Sequence, residues 1–120
     1  MTAMRCPHGL RFPPELLDQL RRIPNGVNMI NAVGWCNLAA GHSCPHHSGE
    51  QMSMNDEYWV RWTDNSYELL VLPPCPAKRP MGNDEDPCLL FENHEGPHDF
   101  ELEPYWSSVD DMYDSYSSWR

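Results

Sequence analysis

Residues 36–46 and 88–98 carry one pattern twice, C-x5-H-x3-H: Cys36, His42 and His46 in the first copy, Cys88, His94 and His98 in the second. Each copy also has a Leu two residues after its Cys (Leu38, Leu90) and a Pro immediately before its last His (Pro45, Pro97). A Cys-Pro dipeptide stands upstream of each, Cys6-Pro7 and Cys75-Pro76, and an acidic-aromatic stretch follows each, Glu57-Tyr58-Trp59 and Glu103-Pro104-Tyr105-Trp106. Thiolate and imidazole are the donors zinc takes most readily, and coordination demands them at set spacings. A chain that repeats those offsets, with their flanks, is constrained towards two metal sites of one design.

The composition agrees. Leu, Ile, Val and Phe make up 21 of 120 residues, under the roughly 20 % below which a highly charged chain is expected to stay unfolded. Structural zinc compensates, because an apparent binding free energy of about 10–16 kcal/mol per site becomes folding free energy when the unfolded chain has no preformed site. Five Cys interleaved with six His fit a closed disulfide framework less well than thiolates kept for metal in a reducing interior. No apolar run approaches the roughly 18–20 residues that span a bilayer, and the N-terminus has no secretory h-region. The expectation is a cytoplasmic protein with no membrane partner.

Four donors close a tetrahedral site. The second is assigned Cys75, Cys88, His94 and His98, and the first, by the same logic, Cys6, Cys36, His42 and His46. His8, Cys44 and His47 are spare donors that leave the first assignment open. Two zinc ions are expected. Three protein ligands plus water would make a catalytic site, with Glu50, Glu92 or Glu95 as a base. The four donors available per repeat favour the structural alternative, and no phosphate loop, nucleophile elbow or triad order is visible.

Along the chain, Pro13-Pro14 opens a helix over 14–23, whose apolar face is Leu16, Leu17, Leu20 and Ile23 and whose stop is Pro24-Asn25-Gly26. Residues 27–35 are strand or irregular, and 41–50, dense in Gly, Ser, Pro and His, read as a loop. Alternation predicts a β-hairpin over 57–72 with Thr63-Asp64-Asn65-Ser66 as its turn. A polar loop is expected over 76–87, then a short strand at Phe100 and Leu102. From Pro104, the 4-3-4-3 spacing of Tyr105, Val109, Met112, Tyr116 and Trp119 allows a helix, with a disordered tail as the alternative. The fold class is thus a small, metal-stabilised α+β protein: one N-terminal helix, a central hairpin, two zinc-binding loops and a candidate C-terminal helix. Its repeats divide at 1–74 and 75–120, packed as one domain.

Both copies resemble the Cys-x-Leu-x-x-Gly-His-x-Gly-x-His signature, with an additional upstream Cys, of small proteins of actinobacteria and their bacteriophages. The first keeps Cys36, Leu38, Gly41, His42 and His46 but has Cys44 for the second Gly. The second keeps Cys88, Leu90, His94, Gly96 and His98 but has Asn93 for the first. The resemblance covers about a fifth of the chain, and it implies zinc binding and a phage or actinobacterial origin without implying an activity.

The formal charge is −10. Residues 81–120 hold eleven acids against Arg120 alone, so the whole imbalance sits there. Such a half repels phosphate, which excludes ordinary nucleic-acid binding and suits a protein partner with a basic surface. The aromatic hairpin (Tyr58, Trp59, Trp62, Tyr67) contains one base, Arg61, so it reads as core and not as a base-stacking platform. Trp106, Tyr113, Tyr116 and Trp119 are the residue types that anchor interfaces and are the expected partner-binding residues. The function expected is a non-enzymatic, zinc-stabilised protein-interaction module. The alternatives are an acidic nucleic-acid mimic that inhibits a host enzyme, a minor virion or assembly component and, least favoured, a small zinc hydrolase.

Overall fold

In the computed structural model of the chain, residues 3–102 and the backbone of residues 103 and 116–118 are described. Helix α1 runs from Pro14 to Arg21, with Pro13 at its N-cap and Glu15 in its first turn. Proline suits that start, because the first-turn N–H groups lack helical acceptors and the ring presets φ. Leu16 and Leu20 are fully buried. The end comes slightly earlier than the apolar spacing suggests: Arg22 is already the cap, and Asn25 adopts a left-handed φ of 59°.

Around this helix lie short strands: β1 (Ala3–Met4), β2 (Gly9–Arg11), β3 (Val33–Trp35), β4 (His46–Ser53), β5 (Asp56–Trp62), β6 (Tyr67–Val71), β7 (Lys78–Met81), β8 (Asp84–Pro87), β9 (Leu102–Glu103) and β10 (Tyr116–Ser118). A single 3-10 turn, Asp99–Glu101, precedes β9. Strands β4, β5 and β6 form one antiparallel sheet. In it Thr63 N–H donates to the Ser66 carbonyl at 2.9 Å across the β5–β6 turn. Strand β2 pairs antiparallel with β3 and parallel with β10, and β1 pairs parallel with β9.

Two segments expected as loops are strands. Residues 46–50 belong to β4, because Gly49 lies under the Trp59 ring, where a Cβ would sit 3.2 Å from the indole. A glycine that weakens a strand by itself is here the space an aromatic neighbour fills. Residues 78–87 form the exposed β7–β8 ribbon. It turns on Gly82-Asn83, with Gly82 at φ 62°, and carries Lys78–Glu85 and Arg79–Asp86 ion pairs at 2.7 and 3.0 Å. These pairs are solvent-exposed and add little stability, so the turn and the backbone ladder define the ribbon. The candidate C-terminal helix falls mostly outside the described residues, and Tyr116–Ser118 is strand.

The core joins Leu10, Phe12, Leu16, Leu20, Leu38, Trp59, Val60, Trp62 and Leu90 with the buried thiols Cys6, Cys36 and Cys88. Three of the four candidate sulfur donors therefore sit inside the apolar cluster, and Cys75 packs partly exposed against it. Among the described residues no helix is long and apolar enough to cross a membrane.

Candidate metal centres

The two repeats adopt the same local structure. Cys6 N–H donates to the Leu38 carbonyl at 2.7 Å, and Cys75 N–H to the Leu90 carbonyl at 2.9 Å. Cys36 N–H donates to the His8 carbonyl and Cys88 N–H to that of Ala77, at 2.9 and 2.8 Å. His42 N–H reaches the Ala39 carbonyl and His94 N–H that of Phe91, both at 3.3 Å. The unequal spacing between paired cysteines is absorbed by one device. An antiparallel pair leaves three residues after the upstream Cys and returns one residue before the next, as Gly9↔Trp35 in one repeat and Lys78↔Pro87 in the other. The first excursion carries α1, whereas the second is only the ribbon.

The sequence flanks now have physical roles. Leu38 and Leu90 are core residues, 3 % and 1 % exposed, which pins each turn to the hydrophobic cluster. Gly41 and Asn93 stand at equivalent positions with φ of 86° and 63°. That left-handed conformation is natural for Gly and tolerated by Asn, which is why the repeat accepts Asn93.

Each repeat gathers four donors. Cys6, Cys36, His42 and His46 form one group, Cys75, Cys88, His94 and His98 the other, and within each group the ligand atoms lie within 4.8 Å of one another. Sulfur-to-nitrogen separations are 3.6 Å (Cys6–His46), 3.3 Å (Cys36–His42), 3.6 Å (Cys75–His98) and 3.5 Å (Cys88–His94). His94 Nε2 and His98 Nδ1 are 3.3 Å apart. With Zn–S near 2.3 Å and Zn–N near 2.0–2.1 Å, a tetrahedral ion sets S···N edges of about 3.5 Å and N···N edges of about 3.3 Å. These separations match the edges of a coordination tetrahedron.

The surrounding bonds prepare the ligands. His42 Nδ1–H donates to the Ser43 carbonyl at 2.7 Å, and His94 Nδ1–H points at that of Glu95 at 3.3 Å. A carbonyl only accepts, so Nε2 of each ring is left with its lone pair towards the cluster. Asp99 N–H donates to Cys88 Sγ at 3.3 Å, and the His47 amide at the matching position does the same for Cys36. Without metal, Cys6 and Cys36 contend for a proton. The hydrogen bond between them holds Cys6 well below the ordinary thiol range and Cys36 well above it, with burial raising both. Burial also raises Cys88. A cation would displace such protons and relieve the cost of buried thiolate charge.

The spare donors do other things. His8 stacks on His46 with ring centroids 4.1 Å apart. His47 packs against Phe91 at 4.4 Å, and burial, then the Arg61 charge, lower its pKa to about 4. Cys44 is exposed and outside both groups. Of the candidate bases, Glu50 accepts a bond from Ser48 Oγ, Glu95 accepts from the Ser43 amide, and Glu92 lies at the edge of the second cluster. Trp106, Tyr113 and Trp119 lie outside the described residues, as does the side chain of Tyr116. The roles of His8 and Trp62 beside the first cluster escape inspection of the ligand motif, although aligning the two repeats would have set His8 against Ala77.

What fold and site define together is a small α+β protein with two Cys2His2 clusters able to hold a metal ion. Compared with protein-family models, curated proteins and solved structures, the chain shows no significant match.

Proposed function

We propose that this is a non-enzymatic protein-interaction module whose fold is held by two zinc ions. The observation that carries the reading is that each cluster supplies four protein donors within 4.8 Å of one another, enough to fill a tetrahedral ion and leave no coordination position for substrate or water. Thiolate-imidazole donors select zinc over the hard cations, which take oxygen. The resemblance to small actinobacterial and phage proteins supports a bacterial cytoplasm, in a phage-infected host, as the place of action.

The partner proposed is a protein with a basic surface, engaged through the acidic C-terminal half and the aromatic anchors Trp106, Tyr113, Tyr116 and Trp119. The alternative, a nucleic-acid mimic, draws less support. Several acids of that half are already engaged: Glu85 with Lys78, Asp86 with Arg79, Asp99 with Arg5, Glu95 with the Ser43 amide and Glu101 with the His98 amide. A phosphate mimic needs a line of uncompensated charge.

Native mass spectrometry with and without chelator, with circular dichroism in parallel, tests the zinc reading. Two ions per chain and loss of structure on their removal are expected, and a chain that stays folded without metal refutes it. Capture from a host extract, compared with a Trp106→Ala/Trp119→Ala chain of unchanged zinc content, tests the interaction. Equal capture by both chains removes the tail from the proposal.

A further inference from the structure

The two clusters share their ligands and backbone but not their cover. Two residues after the upstream Cys, the first repeat has His8, whose ring lies parallel to His46 at 4.1 Å with an interplanar angle of 8°. Trp62 stands 5.4 Å from His46, and its Nε1–H donates to His8 Nδ1 at 3.4 Å. Trp62 and Cys6 are 2 % and 6 % exposed. His8 thus stacks on the His46 ring with the tilted indole beside both, and the first cluster has both its sulfurs buried, while His42 and His46 stay partly exposed as His94 and His98 do.

At the same position the second repeat has Ala77. Phe100, 5.3 Å from His98, covers one side of that ligand. Beside the cluster lies an open pocket of about 400 Å³ whose lining includes Cys75, Ala77, Glu92, His94, Gly96 and His98. Three of the four donor residues border this space, and Cys75 is partly exposed where Cys6 is buried.

Replacing a ligand on a four-coordinate ion requires an incoming donor to come within bonding distance, so access limits exchange when the donor sets are alike. We propose that the clusters are kinetically inequivalent: the first, with both sulfurs buried and His8 over His46, is the slow, structural site, and the second is an exchange site where a small multidentate chelator enters beside Ala77 and gives up or takes away the ion. This rests on the reading of both clusters as metal sites. The chain would then part with one ion while the first cluster keeps the core assembled around Cys6 and Cys36.

The test is release of zinc from the two-ion chain into excess 4-(2-pyridylazo)resorcinol, followed by stopped-flow absorbance. Two phases of one ion each are expected, separated by about tenfold or more, the low end of what changes around a metal's ligands do to its affinity. His98→Ala should remove the fast phase and leave one ion. Ala77→His, which alters no ligand and restores the missing cover, should slow the fast phase, and His8→Ala should speed the slow one. Release of both ions at one rate, or a fast phase unmoved by Ala77→His, overturns the inference while leaving two metal sites standing. A chain that carries no zinc by native mass overturns the metal reading itself.

Discussion

Ser43 and Glu95 occupy the same position in the two repeats, seven residues after Cys36 and Cys88, and the Ser43 amide donates to Glu95 Oε2 at 2.8 Å. A contact between equivalent positions is what two like units form when they pack about an approximate twofold axis. Its neighbours follow the same relation. His47 packs on Phe91, and Arg5, bridged to Ala39 at the position matching Phe91, pairs with Asp99 at the position matching His47. The clusters therefore belong to one packed unit, joined through this seam.

Single-ligand replacement separates donors from bystanders. Cys36→Ser and Cys88→Ser should each reduce the zinc content from two ions to one, while Cys44→Ser should leave it at two, because Cys44 is exposed and outside both clusters. Native mass reads all three. A lost ion in Cys44→Ser would place that thiol in the first site.

Leu90 tests whether the repeat's leucine is a packing residue. It is 1 % exposed and its carbonyl accepts from Cys75 N–H. Leu90→Ala should lower stability by about 2–5 kcal/mol, the usual range for a buried Leu truncation, with both ions retained in excess zinc. Urea unfolding measures it, and a loss below about 1 kcal/mol would show that coordination alone positions the turn.

Across the seam, Arg5 donates to Asp99 Oδ1 and to the Asn37 carbonyl, both at 2.9 Å, and both ion-pair side chains are largely buried. A double-mutant cycle with Arg5→Met and Asp99→Asn should give a coupling energy of about 1–3 kcal/mol, well above that of the exposed Lys78–Glu85 pair. Equal coupling for the two pairs would mean that the seam is as solvated as the surface.

Glu50 makes stability depend on pH. Burial raises its pKa to about 7, against a lowering by the Ser48 hydroxyl. The folded state therefore binds more protons than the unfolded one between about pH 4.5 and 7, so this group's contribution is present at low pH and is lost as pH rises through 7. Relative to the native chain, Glu50→Gln should gain stability on going from pH 6 to pH 8, on the order of 1–2 kcal/mol. Denaturant midpoints in excess zinc read the difference, and a constant offset at both pH values would refute it.

Local spacing made much of the site legible. Cys36, His42 and His46, and their counterparts Cys88, His94 and His98, lie close together in the chain, so their offsets alone limit how they can meet. Proline flanks and apolar spacing likewise marked α1. Gly, Ser and Pro content misled at 46–50 and 78–87, because composition reports what a segment tolerates by itself, whereas a strand forms when a partner supplies its hydrogen bonds. Gly49 under Trp59 is such a case.

By itself, then, the sequence determined the donors, their duplication and the need for something beyond an apolar core, since these follow from residue type and short-range offsets. Tertiary structure alone decided that His8 stacks on His46 while Ala77 and His98 line a pocket beside the second cluster. It also decided that Ser43 meets Glu95. The reason is physical: covering a site and pairing the repeats depend on contacts between residues tens of positions apart, such as Trp62 with His8, and these exist only once the chain has closed on itself.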